Sequence, residues 1–269
     1  MFNNFRVEIS FKDLDQLKKK LDFCINNKIY KINIPCKGKI KKDFLLEVVK
    51  FIGDKYKNLD VIYHYSFYHQ FNKNRSFSYK NFLNFIELNK LYNKNNQILL
   101  VSGSKKRDKF EVLDILEKLK FDLTKNIEFG VAFNPYFLDH GDCEIERNRL
   151  IDKLNFYFVK SIWLQFGSEI NQLEREINFL NKKIFNTQQF IDNTIKIYGS
   201  LFIPSKQFIA RFKFRPWRGV YLSTKYLNSL EESTIITKHI IEFYLKNSII
   251  PLVETELSTE KQFIEAQKF

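Results

Sequence analysis

A few polar side chains lie within or at the ends of apolar segments, where they could take part in chemistry. Glu8 lies in the apolar run from Phe5 to Ser10, and His64 in the run from Asp60 to Phe67. A carboxylate among apolar residues is costly unless it is paired or its raised pKa serves proton transfer. Gln165 ends a third run, and its amide can donate and accept, as the edge of a flat heterocycle requires. In these functional interpretations Glu8 would transfer protons and Gln165 would contact a flat heterocycle.

The same residues also have purely structural interpretations, and the sequence leaves both open. Glu8 could be a solvent-facing strand charge or could pair with Arg6. His64 could be a core histidine bonded to backbone, and Gln165 could cap a backbone group. Gly103 could simply form a tight turn, although the free N–H groups of such a turn suit an anionic or flavin group.

Other classes of site have little support. The chain has no Ser/His/Asp order, no H-E-x-x-H and no cluster with metal-ligand spacing, so hydrolase and metalloenzyme functions are not favoured and no metal site is expected. The cysteines Cys24, Cys36 and Cys143 are odd in number and far apart. They fit neither a disulfide framework nor a zinc site, and predict free thiols in a reducing compartment.

The formal net charge of +13 raises the question of nucleic acid. The lysines are spread along the chain, and Asn, Ile and Phe are abundant too, which favours a general compositional bias. Attraction of an anionic small molecule is the next interpretation and nucleic-acid binding the last. No stretch approaches the ~20 apolar residues of a membrane span, and no secretory signal is visible, so we expect a cytoplasmic protein.

Eight candidate strands alternate with helical stretches along the chain. The helical stretches show apolar residues at helical spacing, as at Leu14, Leu17, Leu21 and Ile25. Further helices are predicted over Asp43–Tyr56, Tyr79–Tyr92, Lys109–Leu119, Glu144–Phe156, Glu169–Leu180, Glu231–Lys246 and Thr259–Lys268. The candidate strands are Phe5–Ser10, Ile29–Cys36, Asp60–Phe67, Gln97–Ser104, Ile127–Phe133, Ser161–Phe166, Ile195–Phe202 and Ser248–Val253.

This alternation predicts an α/β fold, a (β/α)8 TIM-type barrel formed as a single domain over residues 1–269. An irregular capping segment is expected around residues 204–230, as a loop or short helices. An open doubly wound sheet is the main alternative, but the first strand is not followed by G-x-G-x-x-G or G-x-x-x-x-G-K. In a barrel, an active site forms at the C-terminal ends of the strands.

The strand-end residues, in this order, resemble the methylenetetrahydrofolate reductase family of flavin-dependent barrel enzymes. The resemblance covers nearly the whole chain in order and spacing, although literal identity is low. It rests on Arg6-Val7-Glu8-Ile9, His64-Tyr65-Ser66, Ile98 to Val101 followed by Ser102-Gly103-Ser104, Val131-Ala132-Phe133-Asn134-Pro135, Lys153, Trp163-Leu164-Gln165-Phe166 and Tyr198 to Pro204.

The resemblance implies a reaction: hydride transfer from NADH or NADPH through FAD or FMN to 5,10-methylenetetrahydrofolate, giving 5-methyltetrahydrofolate. Glu8 would protonate the folate so that the methylene iminium can accept a hydride, and Gln165 would contact the pterin or the nicotinamide. Phe214 would pack on the folate. The sequence itself leaves a homo-oligomer open. The flavin would be lined by His64, Ser102, Gly103, Ser104, Phe133 and Lys153.

The chain departs from the family at two places. Ser104 stands where the family has an aspartate beside the flavin, and Ser102 where it has an arginine. The family's arginine after the last strand has no counterpart in the segment ETELST. These changes should alter flavin potential and folate binding. The alternative is therefore a divergent barrel with altered or lost flavin and folate use, acting on another substrate or as a non-catalytic partner subunit.

Overall fold

The computed structural model describes residues 4–37, 42–71, 74–102, 111–122, 127–182 and 195–269. Within these ranges eight parallel strands pair in chain order and close into a barrel, because the first strand pairs with the last. The predicted (β/α)8 barrel is confirmed, and the open doubly wound sheet is wrong. The strands are β1 (Arg6–Glu8), β2 (Lys31–Ile34), β3 (Asp60–Ser66), β4 (Gln97–Val101), β5 (Glu128–Phe133), β6 (Val159–Leu164), β7 (Lys196–Leu201) and β8 (Ile250–Val253).

The described helices surround this barrel. None of them is both long and apolar enough to cross a membrane. The helices are α1 (Leu14–Asn26), α2 (Lys42–Lys55), α3 (Arg75–Tyr92), α4 (Val112–Asp122), α5 (His140–Leu154), α6 (Ile170–Leu180), α7 (Lys206–Phe214), α8 (Thr224–Asn228), α9 (Leu230–Lys246) and α10 (Glu260–Gln267).

Capping residues explain why two helices begin earlier than their apolar spacing predicts. The side chain of Asn74 accepts from the backbone N–H of Phe77, so α3 begins at Arg75. Asp139 accepts from the N–H of Asp142 in the same way and starts α5. Each cap satisfies one of the N–H groups that a helix N-terminus leaves without a partner.

Alternation along the strands separates two apolar layers. Outward residues such as Phe129 and Val131 pack against the helices in the large core. Inside the barrel Trp163 of β6 stacks on Tyr198 of β7, with ring centroids 3.9 Å apart. Gly130 makes room for this indole, because a Cβ there would lie 2.2 Å from Trp163 Nε1. The other members of the inner layer are Ile62, Leu99 and Leu252.

The segment predicted to cap the barrel contains the short helices α7 and α8. The turn between them meets the ends of β5 and β6, where Asn134 Nδ2 donates to Gly219 O at 2.9 Å. Gly167 and Tyr221 form an isolated parallel bridge. Trp217 packs on Phe202 and Phe208, and so the cap is joined to the strand ends by aromatic contacts as well.

Candidate active site at the barrel mouth

One ammonium group bridges two carboxylates at the C-terminal mouth of the barrel. Glu8 is the last residue of β1, and its side chain is 2% exposed. Lys37 follows β2, and its Nζ donates to Glu8 Oε1 at 2.6 Å and to Glu254 Oε2 at 3.4 Å. Glu254 follows β8, the strand that pairs with β1 to close the barrel. The closure of the barrel therefore creates this cluster.

The cluster sets the protonation of Glu8. Burial raises the pKa of Glu8 from its ordinary 4.5 to about 7; the charge of Glu254 adds to the rise and Lys37 opposes it. Burial alone would lower the pKa of Lys37, but the attraction of both carboxylates raises it above its ordinary value. The Lys37 side chain is 58% exposed, so water screens its charge and burial of Glu8 prevails. Glu8 can donate or accept a proton near neutral pH.

His64 of β3 is a neutral neighbour of Glu8. Burial lowers its pKa to about 3, and the charges of Lys37 and Arg6 act in the same direction. Its Nδ1 lies 3.7 Å from Glu8 Oε2, which is longer than a hydrogen bond. Its Nε2 lies 2.8 Å from Asn33 Nδ2. The mouth thus combines a titrating carboxyl with an uncharged imidazole.

Arg6 anchors the polar residues from inside the barrel. Its Nε donates to Asn33 Oδ1 at 2.6 Å, and its Nη1 donates to Asp60 Oδ2 at 2.9 Å. Its Nη2 donates to the backbone oxygens of Ile32 and Asp60, each at 2.8 Å. Burial alone would raise the pKa of Asp60, but the Arg6 guanidinium holds it below its ordinary value. Arg6 therefore pairs with Asp60, whereas the cation that pairs with Glu8 is Lys37.

The sequence analysis did not single out several of these residues as parts of the site. The sequence contains features that could have identified two of them, Arg6 and Glu254. Arg6 is two residues before Glu8 in one strand, so both side chains lie on the same face, and Glu254 directly follows an apolar strand. Of the remaining partners, Asn33 lies in β2, Asp60 begins β3 and Lys37 follows β2, and only the barrel brings them to Arg6 and Glu8.

Gln165 lies just past β6 and is half-buried. Its Oε1 accepts from the backbone N–H of Phe166 at 3.0 Å, which is the capping role that the sequence left open. Its backbone N–H donates to Phe133 O at 2.8 Å and extends the pairing of β6 with β5. One lone pair of the side-chain carbonyl is thus engaged locally, and the second lone pair and the amide nitrogen remain able to contact a ligand.

Among the residues that the structure describes, those that the resemblance assigns to a flavin lie in different parts of the barrel. Ser102 is exposed directly after β4, while Gly103 and Ser104 lie outside the described residues. Phe133 belongs to the core between strands and helices, on the opposite face of β5 from the barrel interior. Lys153 lies in the last turn of α5, in the outer layer of helices. The structure therefore brings neither Phe133 nor Lys153 to the barrel mouth beside His64.

Phe214 is the last residue of α7, and its side chain is 90% exposed.

The three cysteines are free, as predicted, and burial raises the pKa of Cys36, which lies in the core. No group of three or more His, Cys, Asp or Glu side chains in the described ranges could hold a metal ion. The site is therefore built from Glu8, Lys37, His64 and Glu254.

No protein-family model and no curated protein matches the sequence. Solved structures match the fold. An uncharacterized protein from Clostridium thermocellum that binds two copies of 5-methyl-5,6,7,8-tetrahydrofolic acid is 12% identical, with a TM-score of 0.60 over 98% of this chain and 92% of that one. Dihydropteroate synthase from Yersinia pestis is 10% identical, with a TM-score of 0.50 over 99% and 92%. These likenesses establish the fold.

The two perturbed groups give opposite pH dependences of stability. The folded-state pKa of Glu8 is raised from 4.5 to about 7, so its contribution is complete below pH 4.5 and is lost as pH rises through 7. The folded-state pKa of His64 is lowered from 6.5 to about 3, so its contribution is present above pH 6.5 and is lost as pH falls toward 3. Between pH 4.5 and 6.5 the two slopes oppose each other.

Replacing either side chain should therefore leave only the pH dependence of the unfolding free energy that the other side chain produces. From pH 4.5 to 6.5 the unfolding free energy of Glu8→Gln, relative to wild type, should rise by about 1.4 kcal/mol per pH unit. That of His64→Gln should fall by a similar amount, because the loss of His64 removes a term that grows with pH. Urea denaturation at pH 4.5, 5.5 and 6.5 measures both. Parallel pH curves for all three proteins would contradict the raised and lowered pKa values.

Proposed function

We propose that the barrel mouth binds a reduced folate and that Glu8 donates the proton that activates its one-carbon unit. The observation that carries the proposal is a buried carboxyl at the mouth whose pKa is about 7. Such a group is protonated often enough at neutral pH to act as an acid, and its conjugate base persists long enough to be reprotonated. Neutral His64 beside it does not compete for the proton.

The proposed reaction begins with proton transfer from Glu8. The Glu8 O–H proton moves to a nitrogen of the folate, and the bond from that nitrogen to the bridging one-carbon group breaks, with its electron pair going to the nitrogen. The one-carbon group is left as an iminium that can accept a nucleophile such as hydride. The Glu8 carboxylate that forms is stabilised by Lys37, whose Nζ already lies 2.6 Å from Oε1.

Two further observations support a folate. The Clostridium thermocellum barrel of similar fold binds 5-methyltetrahydrofolic acid. In addition, the cap carries six Lys and Arg and no Asp or Glu between residues 206 and 225, and all six are exposed. A cation-rich cap that meets the strand ends favours an anionic ligand such as the glutamate moiety of a folate. The cationic residues are Lys206, Arg211, Lys213, Arg215, Arg218 and Lys225.

Flavin-dependent reduction of 5,10-methylenetetrahydrofolate is the second candidate function. It is favoured by the positions of Glu8, His64, Ser102 and Gln165, which lie near the C-terminal ends of β1, β3, β4 and β6 in the order that the resemblance implies. The placement of Phe133 and Lys153 counts against it. The first candidate needs only the folate and the acid, and it therefore stands without a flavin.

Calorimetric titration with 5-methyltetrahydrofolate at pH 7, in two buffers of different ionisation enthalpy, tests the first candidate. We expect saturable binding whose apparent enthalpy depends on the buffer, because Glu8 changes its protonation when the ligand binds. Glu8→Gln should remove that dependence, while Glu242→Gln, an exposed carboxyl on α9, should keep it. Absence of binding by the wild-type protein would refute the proposal, as would an unchanged buffer dependence in Glu8→Gln.

Titration with FAD and FMN separates the second candidate from the first. A yellow complex that is bleached by NADH or NADPH, and recovers its colour with methylenetetrahydrofolate, would establish the reductase. A protein that takes up neither flavin but binds the folate would exclude the reductase and leave the folate-binding acid as the function.

A further inference from the structure

Asn33 lies at the centre of a buried polar chain that runs through the barrel interior. The chain starts at Asp60, the first residue of β3, and passes through Arg6 to Asn33 and then to His64. Asn33 has no exposed surface, and Arg6 and His64 are buried as well. Three strands thus contribute to one continuous set of hydrogen bonds. Such a set restricts which atoms can donate and which can accept.

The hydrogen bond from Arg6 determines the orientation of the Asn33 amide, and this orientation determines the protonation of His64. A guanidinium only donates, so the Asn33 atom 2.6 Å from Arg6 Nε must be the carbonyl oxygen. The other end of the amide is then NH2, and it donates to His64 Nε2 at 2.8 Å. His64 Nε2 must therefore carry the lone pair. An imidazole with a lone pair on Nε2 carries its proton on Nδ1, the nitrogen 3.7 Å from Glu8 Oε2.

We infer that Asn33 is a positioning residue: held by Arg6, it fixes His64 as the Nδ1–H tautomer and so directs a neutral N–H donor toward Glu8. An Nδ1–H group cannot take the proton from Glu8, but it can approach and stabilise the carboxylate after the proton has left. The tautomer assignment rests on the hydrogen bonds alone. Its consequence for proton transfer rests on the proposed function.

Two-dimensional ¹H–¹⁵N spectra of the ligand-free protein, recorded for the imidazole nitrogens, test the assignment. We expect His64 to show a protonated Nδ1 and an unprotonated Nε2 at neutral pH, and His64→Gln identifies its signals among the four histidines. A wild-type spectrum with the proton on Nε2 would overturn the inference. This experiment needs no folate, so its failure is distinct from failure of the proposed function.

Asn33→Asp tests the role of the amide without changing its shape. One carboxylate oxygen still accepts from Arg6, but the other replaces the NH2 donor, so His64 must present an N–H at Nε2. We expect the tautomer to reverse or the ring to take up a second proton. Asn247→Asp is the matched control, since the Asn247 amide donates to Phe243 O at the end of α9. Unchanged His64 signals in a folded Asn33→Asp protein would overturn the positioning role.

Discussion

Glu8→Gln is expected to bind the reduced folate nearly as well as wild type and to lower the rate of its conversion by about 10²- to 10⁴-fold, the usual contribution of a positioned general acid. Glutamine keeps the shape of the side chain and a carbonyl acceptor for Lys37, so the mouth keeps its contacts. Only the transferable proton is removed. The expected change is therefore in kcat rather than in ligand affinity.

The rate is measured as reduction of 5,10-methylenetetrahydrofolate by NADPH or NADH with added FAD, and affinity by calorimetry. Glu242→Gln serves again as the control that removes a carboxyl elsewhere. Loss of binding together with rate in Glu8→Gln would assign Glu8 a structural role, and an unchanged rate would remove it as the acid. A wild-type protein that binds the folate without reducing it would exclude the reductase.

Arg6→Met is expected to cause the largest loss of stability of any single substitution in the site. The Arg6 side chain is 2% exposed and satisfies four acceptors, so its removal leaves buried oxygens of Asn33, Ile32 and Asp60 without their donor. Breaking one partner of a buried pair costs about 3 to 5 kcal/mol. Asp60 is 40% exposed and can recover water, so a loss of about 3 kcal/mol is expected.

Lys268→Met is the comparison for this measurement. Lys268 Nζ donates to Glu265 Oε1 at 2.6 Å, but the two side chains are 59% and 53% exposed. Urea denaturation of both variants at pH 7 should show a smaller loss, less than about 1 kcal/mol, for Lys268→Met. A cost for Arg6→Met that does not exceed the cost for Lys268→Met would show that the inner network adds no stability.

Local sequence patterns predicted the barrel because they repeat at the level of single elements. Each helix has its own apolar spacing and each strand its own apolar run, and eight such units close a barrel. The helix starts were less predictable, since Asn74 and Asp139 are caps that precede the apolar residues. The alternation along β5 also indicates that Phe133 does not face the barrel interior. It shares its face with Phe129 and Val131 and therefore points toward the helices.

The amino-acid sequence by itself determined the fold and the position of Glu8 at a strand end, because both depend on residues that are close along the chain. Only the tertiary structure decided what surrounds Glu8. Lys37 and Glu254 are 217 residues apart, and they meet because β8 pairs with β1 and closes the barrel. The pKa of about 7 arises from this closure, since burial and a second carboxylate raise it while Lys37 opposes them. The chemistry of the mouth is therefore a property of contacts between strands, which no local pattern specifies.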